Sequence, residues 1–479
     1  MRKSCIAAAL VTTGTGTGTG TDTATHITSK HQGAEPRRTI WLIGGWRKPC
    51  PRISSVQICL IYPAFFTIFP RATCQFCQGA LGNSPHQPPK DGAADKMNDD
   101  LFHHGGAIDL AAKRYGIALD QWLDLSTGIN PLPYDIGDIP VEYWQRLPLA
   151  RDLEQVLGAA EQYYGIPVSG HIVCAPGTQA LIQLLPFVLA AKMPIKKVAV
   201  FGPTYGEHAP AWQRAGMFTT EIQTTAQIRQ HVIAHLQMMP TNADAKASLE
   251  ASGWQSPHDN PALASAIDDH DVFVIVNPNN PDGGVTDAKT LYDFANHLQD
   301  RGKYLILDEA FADTCPENTL CGHIAELENT VILRSFGKFF GLAGMRVGFA
   351  VGAPALIADL ADRLGPWSVP GPALHIATQA LADKNWQQKT RENLHHQANW
   401  LDEQVLRATG TGAKLLGGTD LLRLYAWPGL PALQQHLAQR GIWVRGFAHA
   451  PTWLRFGLPG TQANMDRLAT ALADFQMLG

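Results

Sequence analysis

No stretch of the 479-residue sequence is long and apolar enough to read as a bilayer span: ICLIYPAFFTIFP is too short and carries an internal proline. Charge of one sign is also missing. The net charge is −4, so nothing global favours nucleic acid or an acidic membrane surface. Cysteine is scarce where the chain looks folded. Five of the eight lie in the first 96 residues, and the other three, Cys174, Cys315 and Cys321, are scattered. Such spacing gives no disulfide framework and suits a reducing compartment, so a cytoplasmic protein is expected. CQFC (Cys74 to Cys77) offers half a zinc site, but no second pair follows at usable spacing, and no metal is expected.

The N-terminal stretch lacks pattern as well. TGTGTGTGT is low-complexity, and nothing as far as Pro89 sustains a helical or strand period. MRKSCIAAALV has the basic start and short apolar run of a signal peptide, but no convincing cleavage site follows. Residues 1–96 hold 11 Lys/Arg against 4 Asp/Glu, leaving 27 against 38 for the remainder. This reads as a low-complexity extension, disordered or not natively translated, with translation expected to begin at Met97. Its basic residues lack the periodicity of a DNA-reading helix, which argues against a regulator.

From Met97 the pattern becomes regular. Residues 107–115 look helical, with Gly116 as a stop. ARDLEQVLGAAEQYYG places Leu153, Val156, Leu157, Ala160 and Tyr164 on one helical face and ends at Gly165. Strand candidates are WLDLS, then 171–175, 197–202, 271–277, 303–310 and 330–336. The last five are continuous apolar runs, as expected of strands covered on both faces. Helical segments alternate with them, which predicts an α/β fold with a mostly parallel sheet. The polar, irregular stretch 221–263 reads as an edge insertion. Beyond LGPWSVPGP the pattern shifts to long amphipathic helices and short strands. The expected organisation is an N-terminal arm with a large domain (97–365) and a smaller α+β domain (366–479).

In an open α/β sheet, ligands bind beyond the carboxyl ends of the strands. Just past the expected strand ends stand Gly177-Thr178-Gln179, Tyr205, Asn280, Asp308, and Ser335 with Lys338. Each admits a plain reading. Lys338, among aromatic and apolar neighbours, can form an imine as a free amine, or can snorkel to the surface. Asp308 can pair with a protonated pyridine nitrogen, or serve as a metal ligand, sugar ligand or helix cap. Residues 177–179 open an all-round apolar helix whose amides suit a phosphate, though a simple cap is as common. Tyr205 can stack on a ring or be core; Asn280 can bond a ring hydroxyl or make a turn. Together and in this order they ask for an aldehyde cofactor with a phosphate tail and a basic ring nitrogen, pyridoxal 5'-phosphate.

SFGKFFGLAGMRVGF resembles the lysine segment of fold-type I pyridoxal-phosphate enzymes of the aminotransferase class I/II group. NPNNPDG resembles that group's NPNNPTG turn, and LDEAF its DEAY strand end. Within the group, HHGGAIDLAAKRYG, LDLSTGINPLP, APGTQALIQLLP, GPTYGEHAPAW and LGPWSVPGPAL look like the threonine-phosphate decarboxylase family of cobalamin biosynthesis. The likeness runs from His103 to the C-terminus. It implies Lys338 as the imine lysine, Asp308 as the pyridinium partner, Asn280 at the ring hydroxyl and Tyr205 on the ring. It also implies Thr178, Ser335 and Arg346 on the cofactor phosphate, Arg455 on the substrate α-carboxylate, and Arg445 and His104 near a substrate phosphate. The implied activity is decarboxylation of a phosphorylated amino acid by a homodimer; transamination of the histidinol-phosphate type is the alternative. Two departures stand out. Phe311 replaces the tyrosine of DEAY, and Leu147 falls where histidinol-phosphate aminotransferases carry a tyrosine that reaches the partner subunit.

Overall fold

The structure, a computed structural model, describes residues 105–476 apart from 225–228, 231, 234–265 and 411. The extension 1–96, His104 and most of 221–263 lie outside the described residues. In chain order, helix α1 (Ile108–Tyr115) leads to strand β1 (Leu123–Leu125) and helix α2 (Ala150–Tyr164). Next come β2 (Ile172–Ala175), α3 (Thr178–Ala190), β3 (Lys197–Gly202), α4 (His208–Arg214) and β4 (Phe218–Gln223). After these are β5 (Val272–Val276), α5 (Ala288–Gln299), β6 (Tyr304–Asp308), β7 (Thr330–Ser335), β8 (Gly348–Val351) and α6 (Pro354–Leu364). The last part holds α7 (Gly371–Ala382), α8 (Lys384–Thr409), β9 (Lys414–Thr419), β10 (Leu422–Ala426), α9 (Leu430–Ala438), β11 (Ile442–Gly446), β12 (Trp453–Gly457) and α10 (Gln462–Gln476).

The larger sheet has the order β2-β8-β7-β6-β5-β3-β4. Its strands from β7 through β6, β5 and β3 to β4 pair in parallel; β8 alone runs against its neighbours β7 and β2. Every residue of β5 is buried, because each face has its own cover. Val272 and Val274 pack with Leu181, Leu185 and Leu360 of α3 and α6. Phe273 and Ile275 pack with Leu291, Phe294 and Leu298 of α5. Alternation within a continuous apolar run therefore serves two cores at once. Strand β4 is the exception, with mostly exposed residues at the sheet edge.

Helix α2 differs from its expected face. Asp152, Val156, Ala160 and Tyr164 are buried, whereas Leu153 is 41% exposed. Asp152 turns inward because it caps the helix: its Oδ2 accepts from the Leu149 N–H at 2.9 Å and from Arg146 at 2.5 Å. Gly165, with φ of 71°, ends the helix as the sequence predicts.

The smaller sheet has the order β1-β11-β12-β10-β9, with β1 parallel to β11 and the other pairs antiparallel. A strand near the start of the described chain thus joins strands from its end. That crossing delivers the loop after β1 to the lysine turn. The Asn130 N–H donates to the Lys338 carbonyl at 2.9 Å, and Asn130 Nδ2 donates to the Phe339 carbonyl at 2.9 Å.

Candidate active site

Strands β2, β3, β5, β6 and β7 end at one edge of the larger sheet, and the residues after them converge. Gly177, Thr178, Gln179, Tyr205, Asn280, Asp308, Ser335, Lys338 and Arg346 line a single cavity, with Val276, Ala310 and Phe311 among its apolar walls. Lys338 sits on a single helical turn (Phe336–Phe339) directly after β7. Its Nζ lies 5.7 Å from the centroid of the Phe311 ring. Burial, then the Arg455 charge, lower its ammonium pKa to about 8, with Asp308 opposing and Arg346 adding. An amine in that range is available without a strong base.

Asp308 is 3% exposed and tied on both oxygens. Oδ1 accepts from the Ala310 N–H at 3.0 Å, and Oδ2 lies 2.9 Å from His208 Nε2. A carboxylate only accepts, so Nε2 carries the proton of that bond. His208 was missed in the sequence, although it stands three residues after Tyr205 in the first turn of α4. Tyr205 is held from the other side. Its hydroxyl donates to Gln179 Oε1 at 3.1 Å, and Gln179 Nε2 donates to Glu207 Oε2 at 2.9 Å. Burial first, then the carboxylates of Asp308 and Glu207, push the Tyr205 phenol up to about 12, so it remains a neutral ring.

Behind this edge lies a buried ion cluster. Arg334 donates to Glu309 Oε2 and to Asp313 Oδ1, each at 2.7 Å, and all three side chains are essentially inaccessible. It stiffens the ends of β6 and β7 from which Asp308 and Ser335 project.

At the start of α3, Gly177 has φ of +85°, and a Cβ there would lie 2.5 Å from Arg346 Nη2. Only glycine leaves room for that guanidinium beside the helix N-terminus, where amide hydrogens and the helix dipole favour an anion. Arg445 and Arg455 are not among the residues lining the cavity; they stand directly opposite each other on β11 and β12. Arg455 is 6% exposed, and its hydrogen-bond acceptors are neutral: Asn280 Oδ1, and the Ser126 carbonyl at 2.7 Å. Its Nε is buried without a partner among the described residues. Burial, and next the Arg445 charge, lower its pKa to about 9; burial lowers that of Arg445 to about 10. Like charges directly opposed on neighbouring strands are destabilising, which makes the pair a candidate site for anions.

Comparison with known proteins agrees. The family described as aminotransferase class I and II matches residues 153–472. The chain belongs to that family. A threonine-phosphate decarboxylase of a Sinorhizobium species is 38% identical over 375 residues, covering 78% of this chain and 98% of that protein. A protein of the same name from Pseudomonas aeruginosa is 38% identical over 377 residues, with the same coverages. Among solved structures, the histidinol-phosphate aminotransferase of Sinorhizobium meliloti in complex with pyridoxal-5'-phosphate has a TM-score of 0.56. It is 16% identical and covers 77% of this chain and 94% of that one. Fold-type I α/β architecture is thereby shown, and the class I and II family is pyridoxal-phosphate dependent.

The donor set fits such a group. The cavity is lined by a helix N-terminus with Arg346 against Gly177, by a hydrogen-bonded carboxyl group (Asp308), by the Tyr205 ring and by a lysine whose pKa is lowered to about 8. Phe311, in place of a tyrosine, is 4% exposed and offers no hydroxyl. Leu147 is 60% exposed. No helix among the described residues is long and apolar enough to cross a membrane.

Proposed function

We propose that the protein decarboxylates L-threonine O-3-phosphate to (R)-1-amino-2-propanol phosphate and CO2, a step of cobalamin biosynthesis, with pyridoxal 5'-phosphate as cofactor. The carrying observation is the opposed pair Arg445 and Arg455, two guanidiniums on neighbouring strands with lowered pKa values, Arg455 being bonded to the cavity residue Asn280. Threonine phosphate brings two anionic groups, a carboxylate and a phosphate. The 38% identity to two threonine-phosphate decarboxylases along 98% of their length supports the same reading.

In this reading Thr178, Ser335 and Arg346 hold the cofactor phosphate at the start of α3, Tyr205 stacks on the ring, and Asn280 meets the ring hydroxyl. Lys338 is the point of covalent attachment. When bound, the cofactor supplies an electron sink for the pair left on the substrate Cα as the carboxylate departs. Asp308, fixed by His208 and the Ala310 N–H, holds a proton on the ring nitrogen. At ~4 Å and an effective dielectric of ~20 that attraction is about 4 kcal/mol, or roughly three pK units. Arg455 grips the substrate carboxylate and fixes its direction, while Arg445 and His104 take the substrate phosphate. Lys338 Nζ, with a pKa of about 8, would deliver a proton to Cα after CO2 has left, once the substrate amine has taken its place on the cofactor.

Transamination of the histidinol-phosphate type uses the same residues with a Cα–H bond in the place of the carboxylate bond, and the Sinorhizobium meliloti neighbour favours it as the second reading. Purified protein incubated with threonine phosphate and cofactor is expected to release CO2. Formation of a keto product with 2-oxoglutarate, without CO2, would overturn the decarboxylase reading. We further propose a cytoplasmic homodimer. The exposed Val141, Trp144, Leu147, Leu149 and Leu153 support a second copy as cover, and three free cysteines among the described residues suit a reducing compartment.

A further inference from the structure

The polar stretch that reads as an edge insertion contributes two deeply buried polar side chains among the described residues, Thr224 and Arg229, exposed by 3% and 2%. Arg229 Nη2 donates to Asp282 Oδ2 at 3.1 Å and Nη1 to Asp282 Oδ1 at 3.4 Å, a two-pronged pairing with a carboxylate that is itself 5% exposed. Its Nε donates to Thr224 Oγ1 at 3.1 Å. Those two partners belong to different loops. Thr224 donates through its N–H and its hydroxyl to the Gly202 carbonyl, at 2.7 and 3.1 Å, at the root of the loop that carries Tyr205. Asp282 lies two residues after Asn280 and orders that turn from within: its Oδ1 also accepts from Asn279 Nδ2 at 2.8 Å and the Gly284 N–H at 3.0 Å.

The two loops are cross-tied once more. Thr204 Oγ1 donates to Asn279 Oδ1 at 2.7 Å, and Asn279 Nδ2 donates to the Pro203 carbonyl at 3.1 Å. On its far side the turn has no slack. Gly283 has φ of +64°, and a Cβ there would lie 2.2 Å from the Gly418 carbonyl carbon in β9. A displaced turn therefore moves Asn280, whose Oδ1 accepts from Arg455.

We infer that Arg229 is a positioning residue: by bridging Thr224 and Asp282 it holds the Tyr205 loop and the Asn280 turn at one separation, and so sets how tightly the cofactor ring and the substrate carboxylate are held. The inference rests on the cofactor assignment above and extends it to a residue that touches neither molecule. Removing one member of a buried pair leaves an uncompensated charge, whereas replacing both is tolerated. That asymmetry supplies the test. Asp282 stands where the resembled NPNNPTG turn has threonine, so D282T is the natural second change.

The experiment uses the full chain, titrated with pyridoxal phosphate by absorbance and fluorescence for Kd, and with threonine phosphate for KM. R229M is expected to raise the cofactor Kd by about tenfold or more, equivalent to about 1.4 kcal/mol, and to raise KM. R229M/D282T removes the unpaired Asp282 charge but also the bridge, so its cofactor Kd is expected to stay raised severalfold while its urea midpoint returns toward wild type. R229K, which keeps the charge but loses the planar fork, should fall between wild type and R229M. Cofactor Kd and KM of R229M within about twofold of wild type overturn the inference, even if its urea midpoint falls, because the pair would then serve stability alone. A double variant whose cofactor Kd returns to within about twofold of wild type overturns it too, because the separation would then not depend on the bridge. If R229M does not fold, R229K and R229M/D282T carry the comparison: a Kd raised severalfold in both supports the inference, and an unchanged Kd in either sinks it. Wild-type protein that binds no pyridoxal phosphate takes down the proposed function itself. Wild type and R229M that bind and react alike take down only the role of Arg229.

Discussion

The low pKa of Lys338 makes the capture of aldehyde by cofactor-free protein a titration that can be followed directly. Its value of about 8, against 10.5 for an ordinary lysine, comes chiefly from burial and next from the Arg455 charge. At pH 7 a group with that midpoint is about 9% free amine, against about 0.03% for an ordinary lysine, a ratio of roughly three hundred. The nucleophile is the amine, so the rate of covalent capture rises with pH through about 8 and then levels. The assay is rapid mixing of cofactor-free protein with pyridoxal phosphate across a pH series, with borohydride trapping and peptide mapping to place the adduct on Lys338. Arg455→Met removes a charge that disfavours the ammonium and should move the inflection up; Asp308→Asn removes the charge that favours it and should move the inflection down. An inflection at about 10 or above in wild type, or shifts of the opposite sign in the two variants, would refute the reasoning.

Two other outcomes are expected. Gly177→Ala should weaken cofactor binding by about tenfold or more while costing only ~1 kcal/mol of stability, because the added methyl meets Arg346 and the positive φ is strained; paired Kd and urea-denaturation measurements check it. Arg334→Met should cost about 3–5 kcal/mol in urea denaturation, because Glu309 and Asp313 would remain buried without their cation; a loss below ~1 kcal/mol would show that the cluster contributes little.

The strands covered on both faces were legible because burial leaves an uninterrupted apolar run, and β3, β5, β6 and β7 fall within a residue or two of the expected bounds. Strand β4, FTTEIQ, was not legible: at a sheet edge most of its side chains meet water, so its pattern is that of a polar loop. Strand β8 is four residues long and follows the lysine segment so closely that it reads as part of the motif. Strand β1 was visible, but not its sheet, since nothing local marks a partner at the other end of the chain. The cavity residues were readable for one reason: each follows a strand end, and strand ends in a parallel sheet share an edge. His208 escaped because its partner lies 100 positions away. Gln179 was read for its place at the start of α3, and the turn of its side chain toward Tyr205 and Glu207 was not legible. Arg229 was hidden for the same reason as His208, with Asp282 at 53 positions.

The loop that succeeds β1 has a consequence for how the protein is made. Its Asn130 grips the backbone of the lysine turn, and its Ser126 carbonyl accepts from Arg455, 329 positions downstream. During synthesis this early loop is anchored only after β11 and β12 have left the ribosome and paired. A growing chain can assemble the parallel strands first, yet its lysine turn lacks this clamp until almost the whole polypeptide exists. Full ordering of the lysine turn is in this way expected late in biogenesis, close to completion of the chain.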